Sequence, residues 1–225
     1  MVRDTVIASR SVSSALGLVP AGRFKLVVVV ASLGGLDATV ELLEALPDAF
    51  SVPVLLIQHR QAGADIDRLT NVLQRHTKLP VWTAHDGMLL ARGTIAVVPA
   101  GFEAAVDHDS RLTMTRGQSG HAGDATMINA ARAFGPAVIG VVLSGLLDDG
   151  TNGVRAIKRD GGTVMAQDPA TARAGGMPAG AIATGCVDRV LSPAGIAAAL
   201  VALTSAPDGP DLLAIAPPHS AKLHR

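Results

Sequence analysis

Tyrosine is absent from this 225-residue chain, and aromatic side chains make up only 2% of it. That argues against a surface that reads nucleic acid by stacking bases on rings. A single cysteine, Cys186, excludes a disulfide framework and a thiolate metal cluster. Net charge is missing too: 19 basic residues balance 19 acidic ones, which leaves no electrostatic footprint for DNA or an anionic membrane. The longest apolar runs, 26–31 and 196–203, fall well short of a membrane-spanning helix. Residues 1–23 lack a signal-type apolar core and read as a flexible extension. The expectation is a cytoplasmic protein without direct membrane insertion and without a nucleic-acid partner.

What is present is aliphatic. Apolar residues reach 48%, so the core is built from Val, Leu, Ile and Ala, and the length suits one sizeable α/β domain over 24–204. Residues 205–225 carry Pro207, Pro210, Pro217 and Pro218 and read as a flexible tail. Residues 25–31 form a β-branched run suited to a parallel strand covered on both faces. Leu36, Val40 and Leu43 then recur at helical spacing over 34–46, ended by Pro47. Further strands are expected at 53–58 and 80–84, with a helix at 64–77 between them. Short strands at 93–99, 103–107 and 111–115 suggest an antiparallel hairpin insertion, followed by a polar loop at 118–123. From Asp124 helices (124–134, 151–159, 177–184, 193–203) alternate with strands (137–143, 163–167, 187–191). This rhythm implies a doubly wound, mostly parallel sheet.

Three polar groups fall at carboxyl ends of predicted parallel strands, the edge where open α/β sheets gather catalytic groups. They are Ser32, His59 and the pair Asp148-Asp149. A serine before a glycine turn and a helix, with a histidine base and an aspartate to hold the imidazole, suits acyl transfer. Taken singly, each has an ordinary reading. His59 can cap a carbonyl, and Asp148-Asp149-Gly150 can be a turn and N-cap for the helix at Thr151. Gly34-Gly35 lacks the spacing of either phosphate-binding glycine motif. Nor is Ser32 on a hydrolase elbow, because Val30 stands where glycine is required and the order runs Ser, His, Asp. Among the other histidines, His85, His108 and His121 lie in or near loops without metal-ligand spacing. His121 is the one bordering the expected site.

That order and its flanking strings resemble the catalytic domain of the chemotaxis protein-glutamate methylesterases of CheB type. The strings are Ala31-Ser32-Leu33-Gly34-Gly35-Leu36, Ile57-Gln58-His59, Ser144-Gly145-Leu146-Leu147-Asp148-Asp149-Gly150, Ala166-Gln167-Asp168-Pro169, Gly176-Met177-Pro178 and Val187-Asp188-Arg189-Val190-Leu191. The resemblance implies Ser32 as nucleophile, His59 as base and Asp149 as the triad aspartate. It also implies an oxyanion hole of main-chain amides, with backbone support from Leu33, Gly34 and Leu146. No cofactor and no metal are called for. The implied substrate is a methylated receptor of the methyl-accepting chemotaxis type, with glutamine deamidation as an allied activity.

Several departures stand out. Leu33 replaces a threonine, Arg60-Gln61-Ala62-Gly63 follows the histidine in place of Met-Pro, and Thr126-Met127 replace Leu-Phe near the expected rim. These bear on substrate recognition more than on chemistry. With about two dozen residues before the first strand, the chain is expected to be a free-standing catalytic domain without a receiver, controlled, if at all, by a regulatory partner in trans. A non-catalytic signalling module of the same fold, and an esterase or amidase with another substrate, are the alternatives.

Overall fold

The computed structural model describes residues 24–60, 66–117 and 120–205. The extension expected over 1–23, and all of the expected tail except Ser205, lie outside the described residues.

Seven strands form one parallel sheet. Strand β1 (Leu26–Ala31) leads to α1 (Gly35–Ala45), β2 (Val54–Gln58), α2 (Ile66–Gln74), β3 (Val81–Thr83) and β4 (Ile95–Val97). A separate antiparallel hairpin follows, β5 (Phe102–Val106) and β6 (Leu112–Arg116). The chain returns through α3 (Ala122–Phe134) to β7 (Val138–Val142), α4 (Thr151–Arg159), β8 (Thr163–Gln167), α5 (Gly176–Ala183), β9 (Arg189–Leu191) and α6 (Pro193–Ser205). Sheet order is β3-β4-β2-β1-β7-β8-β9. The first half of the chain therefore builds outward from β1 on one side and the second half on the other. Between β1 and β7 the direction of winding reverses, and crevices at such reversals hold ligands outside the strand ends.

Alternation along β1 divides the interior in two. Val27, Val29 and Ala31 pack with Leu42 and Leu43 of α1 and with Ile196 and Leu200 of α6. Leu26, Val28 and Val30 pack on the opposite face with Met127 and Ala130 of α3, Ile157 of α4 and Met177 of α5. All six β1 side chains are buried, which is why the strand reads as an unbroken apolar run. Each of its Leu and Val side chains contributes roughly 1.5–3 kcal/mol of burial free energy, so the rigidity of the site begins in this strand. Among the described residues, no helix is long and apolar enough to cross a membrane.

Two expectations need correction. The pattern at 93–99 belongs to the main sheet: β4 lies between β2 and β3 and is parallel to both. Ile95, Ala96 and Val97 are buried on both faces, an environment that interior parallel strands favour and a half-exposed hairpin does not. Only β5 and β6 make the hairpin. Likewise Thr126 and Met127 are fully buried rather than at a rim. The Thr126 hydroxyl accepts from the Ala104 N–H at 3.3 Å, and so ties the hairpin to α3.

Candidate active site

Parallel pairing decides where the serine and histidine stand. Ala31 is in register with Gln58, and the His59 N–H donates to the Ala31 carbonyl at 2.8 Å. Ser32 and His59 are thus neighbours at the ends of adjacent strands, which run about 4.8 Å apart. Ser32 is in phase with Val30 and His59 with Ile57, and both of those aliphatic side chains belong to the α3 face. Among the described residues the Ser32 hydroxyl makes no hydrogen bond to the imidazole.

Asp149 comes from the loop after β7. Its Oδ2 lies 2.6 Å from His59 Nε2, a close contact that lacks the in-line geometry of a fully formed hydrogen bond. Backbone donors fix the carboxylate: Gly123 N–H to Oδ2 at 2.8 Å, Asp124 N–H to Oδ1 at 2.7 Å and its own Gly150 N–H at 2.9 Å. Burial pushes the Asp149 pKa up, but the His59 contact and the Asp124 and Gly123 amides outweigh it. The net effect holds the carboxyl below its ordinary value. Gly123 is required for this approach, because a Cβ there would sit 2.4 Å from Val30 Cγ1 and 2.6 Å from Asp149 Oδ2. The N-cap reading of Asp149 is therefore half right. The residue caps a helix, but that helix is α3, while Gly150 stands at the cap position of α4.

Asp124 returns the favour across the interface. Its Oδ1 accepts from Gly153 N–H at 2.7 Å and its Oδ2 from Asn152 Nδ2 at 3.0 Å, both in the first turn of α4. Each helix start is held by the other's acid. His121 joins this cluster with Nδ1 3.9 Å from Asp149 Oδ1 and 4.0 Å from Asp124 Oδ2. Ligand atoms of His121, Asp124 and Asp149 lie within 4.8 Å of one another and could hold a cation, although N–H donors already engage all four carboxylate oxygens.

Candidate oxyanion donors cluster beside Ser32. Among the described residues, the N–H groups of Leu33, Gly34 and Leu146 have no acceptor. Three side chains that sequence reasoning passed over orient them. Gln58 Nε2 donates to the Ser32 carbonyl at 2.7 Å, and Ser144 Oγ donates to the Leu33 carbonyl at 2.8 Å. Since a peptide unit is planar, fixing those carbonyls fixes the N–H vectors of Leu33 and Gly34. Gln167 completes the set by accepting from Ser144 N–H at 2.8 Å. All three lie inside the strings that carry the resemblance, which was the available signal. Gly34 adopts φ 72°, and a Cβ there would meet Arg173 Cβ at 2.5 Å and Ser144 Oγ at 2.9 Å. Leu33, which follows the serine, and Leu146 and Leu147, in the loop after β7, all have exposed side chains. Leu147 has φ 66°, a conformation costing an L-residue roughly 1–2 kcal/mol.

Known proteins share this arrangement of sequence and fold. The family model described as CheB methylesterase matches residues 27–200. The chain belongs to the CheB methylesterase family. It is similar to the protein-glutamate methylesterase FrzG of Myxococcus xanthus, 34% identical over 186 residues, which cover 81% of this chain and 55% of that protein. A protein-glutamate methylesterase/protein-glutamine glutaminase of Geobacter sulfurreducens is 37% identical over 180 residues, covering 77% of this chain and 48% of its relative. The chain thus spans about half the length of these relatives. The crystal structure of the Thermotoga maritima CheB methylesterase catalytic domain superposes with a TM-score of 0.73 at 29% identity, covering 79% of this chain and 97% of that one. The doubly wound CheB fold is therefore shared along nearly all of that catalytic domain.

Proposed function

We propose that this chain is a serine-dependent protein-glutamate methylesterase acting on methylated chemoreceptor-type proteins. Ser32 is the nucleophile, His59 the base and Asp149 the residue that orients the imidazole. The observation that carries this reading is the His59–Asp149 contact of 2.6 Å at the strand end beside Ser32. With Nε2 facing Asp149, Nδ1 is the nitrogen left to take the serine proton. Ser32 Oγ attacks the ester carbonyl as His59 accepts its proton. The N–H groups of Leu33, Gly34 and Leu146 receive the oxyanion, each such donor being worth on the order of 100- to 1,000-fold in rate. Collapse breaks the C–OCH3 bond, methoxide takes the proton from His59, and methanol leaves an acyl-serine. Water then gives one proton to His59 and adds to the acyl carbon. Collapse breaks the acyl–Ser32 bond, His59 returns that proton to Ser32 Oγ, and the glutamic acid formed loses its proton to solvent as the carboxylate leaves. The same steps applied to a glutamine side chain release ammonia.

The relatives named above as glutamate methylesterases and glutaminases support the substrate class. Leu33, Leu146 and Leu147 offer apolar contact to a helix presenting the ester.

Incubation with receptor membranes labelled on the ester methyl tests the reading. Wild type releases volatile labelled methanol and Ser32→Ala does not. An inactive wild type would refute the esterase, and release unaffected by Ser32→Ala would refute the mechanism.

A further inference from the structure

Next to His59 a cleft of about 200 Å³ opens between the ends of β2 and β4 and the hairpin, lined in part by His59, Arg60, Pro99, Phe102, Glu103 and Ala122. Arg60 is half-buried there. Its Nη1 donates to the Gln58 carbonyl at 3.0 Å and its Nη2 to the Val98 carbonyl at 3.3 Å. These strand-end carbonyls pin the guanidinium while using two of its five N–H donors. Its Nε is buried and donates to nothing among the described residues. No carboxylate among the described residues comes within ion-pair distance of it.

An arginine in such a place is costly. Burial lowers its pKa from the ordinary value, yet a guanidinium keeps its charge at any physiological pH. Cations are almost never fully buried without a partner, and the half-burial of Arg60 carries part of that cost. Glu103, on the opposite wall, lies against Gly117, with its Cγ 3.2 Å from where a Gly117 Cβ would stand. A second cation, Arg116, covers the Phe102 ring of the same wall at 5.3 Å from its centroid. Among the described residues, the Arg60 guanidinium beside the base is thus pinned by strand-end carbonyls and has no ion-pair partner.

We propose that Arg60 is a specificity-determining residue that binds a carboxylate of the substrate close to the scissile ester, so that the enzyme selects methyl esters set in acidic peptide segments. This inference rests on the esterase reading given above for the identity of the neighbouring ester. The carboxylate belongs on the same helical face as the ester, three or four residues away, where side chains lie about 5–6 Å apart. A charge-assisted hydrogen bond, discounted for partial exposure, corresponds to about a five- to tenfold preference.

The test uses helical peptides with one glutamyl methyl ester and Glu, Gln or Lys three or four residues from it. Binding is read by fluorescence anisotropy on Ser32→Ala, and methanol release on wild type. The Glu peptide binds about five- to tenfold tighter than the Gln peptide, the margin shrinking with added salt. Adding Arg60→Met levels the two, Arg60→Lys keeps part of the margin, and Arg60→Glu shifts preference to the Lys peptide. Equal binding of all three peptides to Ser32→Ala, or a margin that survives Arg60→Met, would overturn the proposal. The peptide comparison on an intact Arg60 decides the matter even if an Arg60 variant fails to fold. A charge preference without methanol release would refute the esterase reading and leave Arg60 an anion-binding residue. Release without charge preference would refute the role of Arg60 alone.

Discussion

Asp149 joins stability to the proposed chemistry in one side chain. Three backbone amides and His59 hold its charge in a buried site, so the carboxylate is worth more to the folded chain than to the unfolded one. Because its folded pKa lies below the ordinary value, its contribution is complete above the unfolded value of about 3.9 and is lost as pH falls through the folded value. Thermal melts of wild type and Asp149→Asn are expected to differ most at neutral pH and to converge as the pH drops below about 4. A gap independent of pH would contradict this. On the chemical side, Asp149→Asn removes the charge that steadies the protonated imidazole. A fall in kcat on the order of 10⁴-fold is expected, by comparison with other serine hydrolase triads, with methanol release as the readout.

Between elements, the decisive device is the exchange of caps by α3 and α4. Asp149 receives the first amides of α3, and Asp124 receives Gly153 N–H and the Asn152 side chain of α4. Asp124→Ala strips acceptors from buried donors, and losses of this kind cost about 1–3 kcal/mol. Both the melting temperature and kcat are expected to fall, while Asp124→Asn, which keeps one carbonyl oxygen, restores part of each. A variant that melts lower with unchanged kcat would mean that Asp149 is positioned without Asp124. This exchange was not legible in the sequence. Asp124 and Asp149 each read as a local helix start, and nothing in their spacing says that each acid serves the other's helix. The same limit explains β4, whose short apolar stretch looked like part of the insertion until its burial on both faces placed it between β2 and β3. By contrast, β1, β2 and β7 were plain in advance, because a strand covered on both faces must be apolar throughout.

Over the whole molecule, one sheet edge gathers Ser32, His59 and the loop that carries Asp149 from three distant parts of the chain. Strand-end positions made Ser32, His59 and the Asp148-Asp149 pair legible as candidates, and the family resemblance singled out Asp149. Gln58, Ser144 and Gln167 were not, since their role is to fix peptide planes and appears only once the neighbouring turns are in place. Reactivity at Ser32 should therefore depend on the folded sheet and on a histidine from another strand. The most direct test is labelling with a serine-directed phosphonate, followed by peptide mapping by mass spectrometry. The account predicts stoichiometric modification of Ser32 in the native protein, with labelling abolished by urea denaturation and by His59→Ala. A native protein left unmodified at Ser32, or labelled there equally well without His59, would contradict it.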